Sequence, residues 1–257
     1  MGMRSIKGGV AGLALAGAVL AGCGNSTGDG GDSGGSAAAP APSATTSAAP
    51  ASNGVAELEP DAILTKAKAA LREAGSYRLK GTVVQDKQPM KMDFKVDGKN
   101  LAGEMSFDKA TVELLAVGGK QYIRPDEAFW TMTAGDAKQG KALAKLIGDR
   151  WVIVPKDEKD LGSLFAPANV EELLEPDGKV SKGDAKDVAG TPAIGLVTSG
   201  SDGGTMYVAT TGEPYPLRIE SDKASEGAID FSDFGEKFAG METPPANEVL
   251  DLKDLQN

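Results

Sequence analysis

Met90-Lys91-Met92-Asp93-Phe94-Lys95-Val96-Asp97 alternates apolar and charged residues without a break. Successive side chains of an extended strand point to opposite faces, so the apolar residues fall on one side and the charges on the other. A period of two is the signature of a strand in an antiparallel sheet with one face in water. Outward from this stretch the same alternation runs through Tyr77, Leu79 and Val83, through Leu101, Gly103, Met105 and Phe107, and through Val112 and Leu114. Asp97-Gly98 supplies a hairpin turn, and residues 86–89 and Gly118-Gly119 mark two more reversals. The pattern predicts a meander of antiparallel strands over residues 77–124. Leu79, Val83, Met90, Met92, Phe94, Met105, Phe107 and Leu114 then share its apolar face.

Before the meander the period is helical. Pro60 suits a first-turn position, Asp61 suits the N-terminal dipole, and Ile63, Leu64, Ala67, Ala70 and Leu71 recur at helical spacing until Gly75 stops the run. After the meander, residues 137–147 carry Ala142, Leu143, Leu146 and Ile147 on one side of a helix. Leu161, Leu164, Phe165, Val170, Leu173 and Leu174 suggest two further short helices. Strands then resume at 179–188, 193–199, 205–210, 217–221 and 228–231, separated by Gly- and Pro-containing turns. The class is α+β: a curved antiparallel sheet with several helices gathered on its concave apolar face. Residues 55–257 are expected to form a single domain.

The N-terminus carries an address. Arg4 and Lys7 precede an uncharged run from Gly8 to Leu20, shorter than the roughly 20 apolar residues of a spanning helix. Leu20-Ala21-Gly22-Cys23 closes it and resembles the lipobox of bacterial lipoproteins. Residues 1–22 are read as a signal peptide, removed before Cys23, whose thiol is acylated with diacylglycerol. Two chains make a stable anchor, since each buried CH₂ contributes about 0.8 kcal/mol. Residues 23–54 are then the acylated cysteine and a Gly/Ser/Ala/Pro-rich tether that cannot build a core. At about 5–6 Å times the square root of its length, such a tether spans roughly 30 Å. The expected location is the cell membrane, lipid-anchored on its extracytoplasmic face.

Composition narrows the chemistry. Loss of Arg4 and Lys7 with the signal peptide moves the formal charge from −10 to −12. So acidic a chain offers no basic surface for nucleic acid. Histidine is absent, and Cys23 is the only cysteine. No Ser-His-Asp triad, Cys-His pair or histidine- or cysteine-ligated zinc is possible, and neither metal nor cofactor is expected. Carboxylate-pair chemistry survives this filter, but no spacing places two acids in one cleft. The chain is therefore read as a non-enzyme.

Three motif matches are decoys. Residues 135–141 (Gly-Asp-Ala-Lys-Gln-Gly-Lys) have phosphate-loop spacing, yet Ala142 stands where a Ser or Thr must hold Mg²⁺. Ser106-Phe107-Asp108-Lys109 falls at a hairpin rather than a helix start, and Asp233-Phe234-Gly235 has no catalytic loop before it.

The C-terminal half carries a recognisable order: residues 187–193 (Asp-Val-Ala-Gly-Thr-Pro-Ala), Met206-Tyr207-Val208, residues 214–220 (Pro-Tyr-Pro-Leu-Arg-Ile-Glu) and residues 229–235 (Ile-Asp-Phe-Ser-Asp-Phe-Gly). With the opening helix, the Gly119–Tyr122 hairpin and Trp130, this resembles the LppX/LprG group of actinobacterial lipoproteins. More distantly it is similar to LolA-type lipoprotein carriers. The resemblance covers residues 62–238. It implies a half-open antiparallel barrel over helices, with an apolar cavity for acyl chains of a lipid or glycolipid ligand, and an export or cell-envelope protein as a further partner. The lining is expected from the meander face named above together with Leu143, Leu146 and Ile147. The alternative is an interaction or structural lipoprotein with a filled core and a protein or cell-wall partner.

Overall fold

The computed structural model describes residues 51–251, apart from 86, 167, 168, 170–172, 177, 201, 202, 224 and 226. The expected signal peptide, Cys23, the expected tether up to residue 50, Val170, Ser201 and Asp202 lie outside the described residues.

Twelve strands among the described residues form one sheet. Its first half is β1 (Ser76–Gln85), β2 (Gln88–Asp97), β3 (Asn100–Phe107), β4 (Ala110–Val117), β5 (Lys120–Pro125) and β6 (Trp151–Ile153). The second is β7 (Val180–Val188), β8 (Thr191–Thr198), β9 (Gly204–Ala209), β10 (Pro216–Ser221), β11 (Gly227–Ser232) and β12 (Val249–Asp251). The spatial order β12-β6-β5-β4-β3-β2-β1-β11-β10-β9-β8-β7 joins two meanders through the antiparallel β1–β11 pair. One meander runs outward from β1; the chain then crosses to the far edge and returns from β7 to β11. An open sheet of more than about ten strands must curl, and this one curves around its helices while β7 and β12 remain its two edges.

The expected meander is present as five antiparallel strands, and its register sets Met92 opposite Met105, Leu79 opposite Phe94 and Leu114 opposite Ile123. Gly118 and Gly119 join β4 to β5 with φ of 60° and 74°, the pair of positive values that a tight hairpin needs. The sheet departs from the antiparallel expectation at one place. β12 runs parallel to β6, because the C-terminal segment reaches that edge across the outer face instead of by a hairpin. On the way it passes Ser76, whose hydroxyl donates to the Glu236 carbonyl at 2.6 Å, and Lys95, whose Nζ lies 5.8 Å from the Phe238 ring centre.

Four α-helices stand among the described residues: α1 (Pro60–Ala74), α2 (Glu127–Ala134), α3 (Ala137–Ile147) and α4 (Lys159–Ser163). α1 starts at Pro60 and ends at Gly75, which adopts the left-handed conformation, as its sequence signals require. α2 is a helix the sequence reading lacks. Asp126 caps it, its carboxylate accepting from the backbone N–H of Phe129 at 2.8 Å, and also from Thr111 of β4 at 2.9 Å. α3 matches its expected bounds, but its orientation differs in part: Ile147 is fully buried and Leu143 half-buried, whereas Leu146 is 57 % exposed. The helix axis places only one of the two C-terminal apolar residues against the sheet.

The decoys have structural explanations. Asp136 accepts from Lys138 and Gln139 at the start of α3, so its own carboxylate occupies the amides a phosphate would need, and the loop follows a helix rather than a strand. Asp108 and Asp233 both sit in turns with positive φ, and Phe234 stacks on Tyr215 at 4.1 Å between ring centres.

Candidate functional site: an apolar cavity under the second meander

Two apolar clusters share the concave face. The larger joins the first meander to α2 and α3. Leu79, Met92, Phe94, Met105, Leu114 and Ile147 are buried members, and Val83, Met90, Phe107 and Leu143 pack against it. The structure thus brings ten of the eleven expected lining residues together, with Leu146 outside, and packs their side chains against one another. The smaller cluster joins Ile63 and Ala67 of α1 to Ile194, Leu196 and Val208. Met206 packs against both clusters.

Where the clusters meet, a cavity of about 260 Å³ remains. Leu64 of α1 and residues 173–176 (Leu-Leu-Glu-Pro) form one wall, and Val180, Leu196, Thr198, Gly204, Met206 and Ile219 of β7 to β10 form the other. The register explains the space. Thr198 pairs with Gly204, so a short side chain faces a missing one just beyond the Leu196–Met206–Ile219 row. None of the eleven expected residues lines this cavity. Met92 and Met105 nevertheless share its cross-strand row, which runs Leu196, Met206, Ile219, Ile229, Gly81, Met92, Met105 through the paired strands. Leu173, Leu174 and the β8–β10 residues were visible in the sequence as apolar positions. Which part of the apolar face stays unfilled depends on where the short helices end, and no local pattern carries that.

The cavity rim is charged. Lys68, one helical turn after Leu64, donates from Nζ to Oε2 of Glu175 at 3.0 Å. A larger hollow of about 510 Å³ lies on the outer face beneath Ala239 and Gly240. Its charges are mostly paired with one another. Arg78 makes a two-pronged bond to Asp93 (2.7 and 2.6 Å) and Arg124 one to Glu113 (3.2 and 2.6 Å). The Arg78 guanidinium, helped by Lys80, holds the Asp93 carboxyl below its usual range despite partial burial. On the concave side, burial pushes the Tyr77 hydroxyl well above its usual range. Apolar chemistry is therefore available at the first cavity and satisfied ion pairs line the second.

No protein-family model matches the chain, and no curated protein matches it in sequence. Among solved structures it is similar to LprF from Mycobacterium bovis, at 11% identity and a TM-score of 0.45 over 72% of this chain and 96% of that one. It is similar to the Mycobacterium tuberculosis lipoprotein LppX at 13% identity and a TM-score of 0.42, over 67% and 93%. It is also similar to a chain of the Pseudomonas aeruginosa MucA/MucB complex, at 14% identity and a TM-score of 0.34, over 73% and 59%. Each is a likeness of fold.

Proposed function

We propose that this protein is a membrane-anchored extracytoplasmic lipoprotein that binds an acyl chain of a lipid in the cavity between α1 and the second meander. The observation that carries the reading is the lining: Leu64, Leu173, Leu174, Val180, Leu196, Met206 and Ile219 give the space a lining more apolar than polar, with Glu175 and Thr198 as its polar side chains. Each methylene taken from water contributes about 0.8 kcal/mol, so a chain filling the space is held without any directional bond. Met206 is flexible enough to adapt to chains of different shape. Met92 and Met105 continue the same row and are the proposed floor for a chain longer than the cavity. Acylated Cys23 and the tether hold the domain at the membrane, within reach of lipid.

The test is native mass spectrometry of the purified chain together with titration by a fluorescent acyl probe. Co-purifying lipid and saturable probe binding are expected. Met206→Trp, which fills the cavity, is expected to abolish probe binding while the protein still unfolds cooperatively. A bare polypeptide that ignores the probe contradicts the reading.

A further inference from the structure

We propose that the ligand is a single-chain lipid with an anionic head, and that Lys68 recognises the head by exchanging Glu175 for it. This rests on the acyl-binding reading above and specifies its ligand class.

The size of the space limits the chain. A cavity of about 260 Å³ lies below the roughly 300–1,000 Å³ of sites that enclose a drug-sized molecule. At about 30 Å³ for a group the size of a water molecule, it holds about nine methylenes, one medium chain rather than the two or three of a multiply acylated lipid.

The rim selects the head. The Lys68 side chain is 13% exposed and that of Glu175 is 70% exposed. An ammonium taken mostly out of water needs an anion at hand, whereas a well-hydrated carboxylate loses little when its partner leaves. Glu175 is therefore the replaceable member of the pair. It also belongs to the cavity lining, and Lys68 follows the lining residue Leu64 by one helical turn of α1. A carboxylate or phosphate entering behind its own chain makes the same charge-assisted bond to Nζ while the chain fills the apolar space. A neutral head leaves the pair intact and gains nothing from it.

Displacement of the fluorescent acyl probe from the full chain by decanoate, decyl phosphate and decanol tests this. Both anions are expected to displace the probe at concentrations about tenfold below decanol, and the stronger of the two identifies the head. Lys68→Gln is expected to bring the anions level with decanol, and Glu175→Gln, which removes an internal competitor, to strengthen the anions and leave decanol unchanged. Didecanoyl phosphatidate is expected to displace more weakly than decyl phosphate. If decanol equals the anions in the parent protein, or Lys68→Gln leaves their advantage intact, the headgroup proposal falls while acyl binding stands. If none of the ligands displaces the probe, both fall.

Discussion

Phe94 and Gly103 face each other across β2 and β3, and their fit illustrates how closely the first meander is packed. Phe94 is fully buried, and a Cβ on Gly103 would lie 2.7 Å from its Cδ1 and overlap the Asp93 carbonyl oxygen. Gly103→Ala is therefore expected to destabilise the protein by roughly 1–3 kcal/mol, read as a lower urea midpoint. On the opposite face, Asp93 is an ion-pair residue whose carboxyl is held below its usual range, chiefly by the hydrogen bond from Arg78. A folded-state pKa below the unfolded one contributes stability above the unfolded pKa, and that contribution is lost as pH falls through the folded pKa. Asp93→Asn should thus cost roughly 0.5–1 kcal/mol at neutral pH, discounted for partial exposure. In thermal melts the gap to the parent should close as pH drops below the ordinary carboxylate range; a gap that persists there refutes the assignment. Both residues were readable from the alternation at 90–97, since period two assigns Phe94 to the core and Asp93 to the wet face. The partner of Asp93 was not, because register is a property of two strands.

Most elements were legible, the five-residue α4 among them, whereas α2, β6 and β12 were not. α1, α3 and the strands of the first meander follow runs of helical spacing or alternation bounded by Gly, Pro or Asp, and β7 to β11 lie between Gly- and Pro-containing turns. β6 and β12 have three residues each, too few to express a period; β6 pairs with β5, and the C-terminal segment lays β12 beside β6 at that edge. α2 hides its period behind Phe129, Trp130 and Met132, although Asp126 and Gly135 mark both of its ends. α2 and α3 approach closely at Gly140, where a Cβ would lie 2.6 Å from the Thr131 backbone nitrogen. Gly140→Ala should push the helices apart and lower the melting temperature, with α-helical circular dichroism largely retained. Across the outer face, Asp93, Glu104 and Glu113 stand directly opposite one another on β2, β3 and β4. Like charges so placed repel, so Glu104→Lys is expected to stabilise the sheet by roughly 0.2–1 kcal/mol per pair, seen as a higher urea midpoint at unchanged slope.

At the scale of the molecule, two meanders meet at β1 and β11, and short helices cover their common concave face. Covering one meander with α2 and α3 packs the residues that the sequence pattern singles out, while α1 and residues 173–176 leave a gap over the other. The apolar face was therefore legible and the position of the gap was not, since the gap depends on the meeting of elements more than a hundred residues apart. The proposed anchor belongs to the same scale. Cys23→Ala is expected to abolish incorporation of a palmitate analogue and release the protein from the membrane fraction; labelling that survives the substitution contradicts a Cys23 anchor. Intermolecular NOEs between a decyl-chain ligand and the methyl groups of the isotope-labelled protein test the central claim most directly. The account predicts contacts to Leu64, Leu196, Met206 and Ile219, and it is contradicted if a bound chain touches none of them.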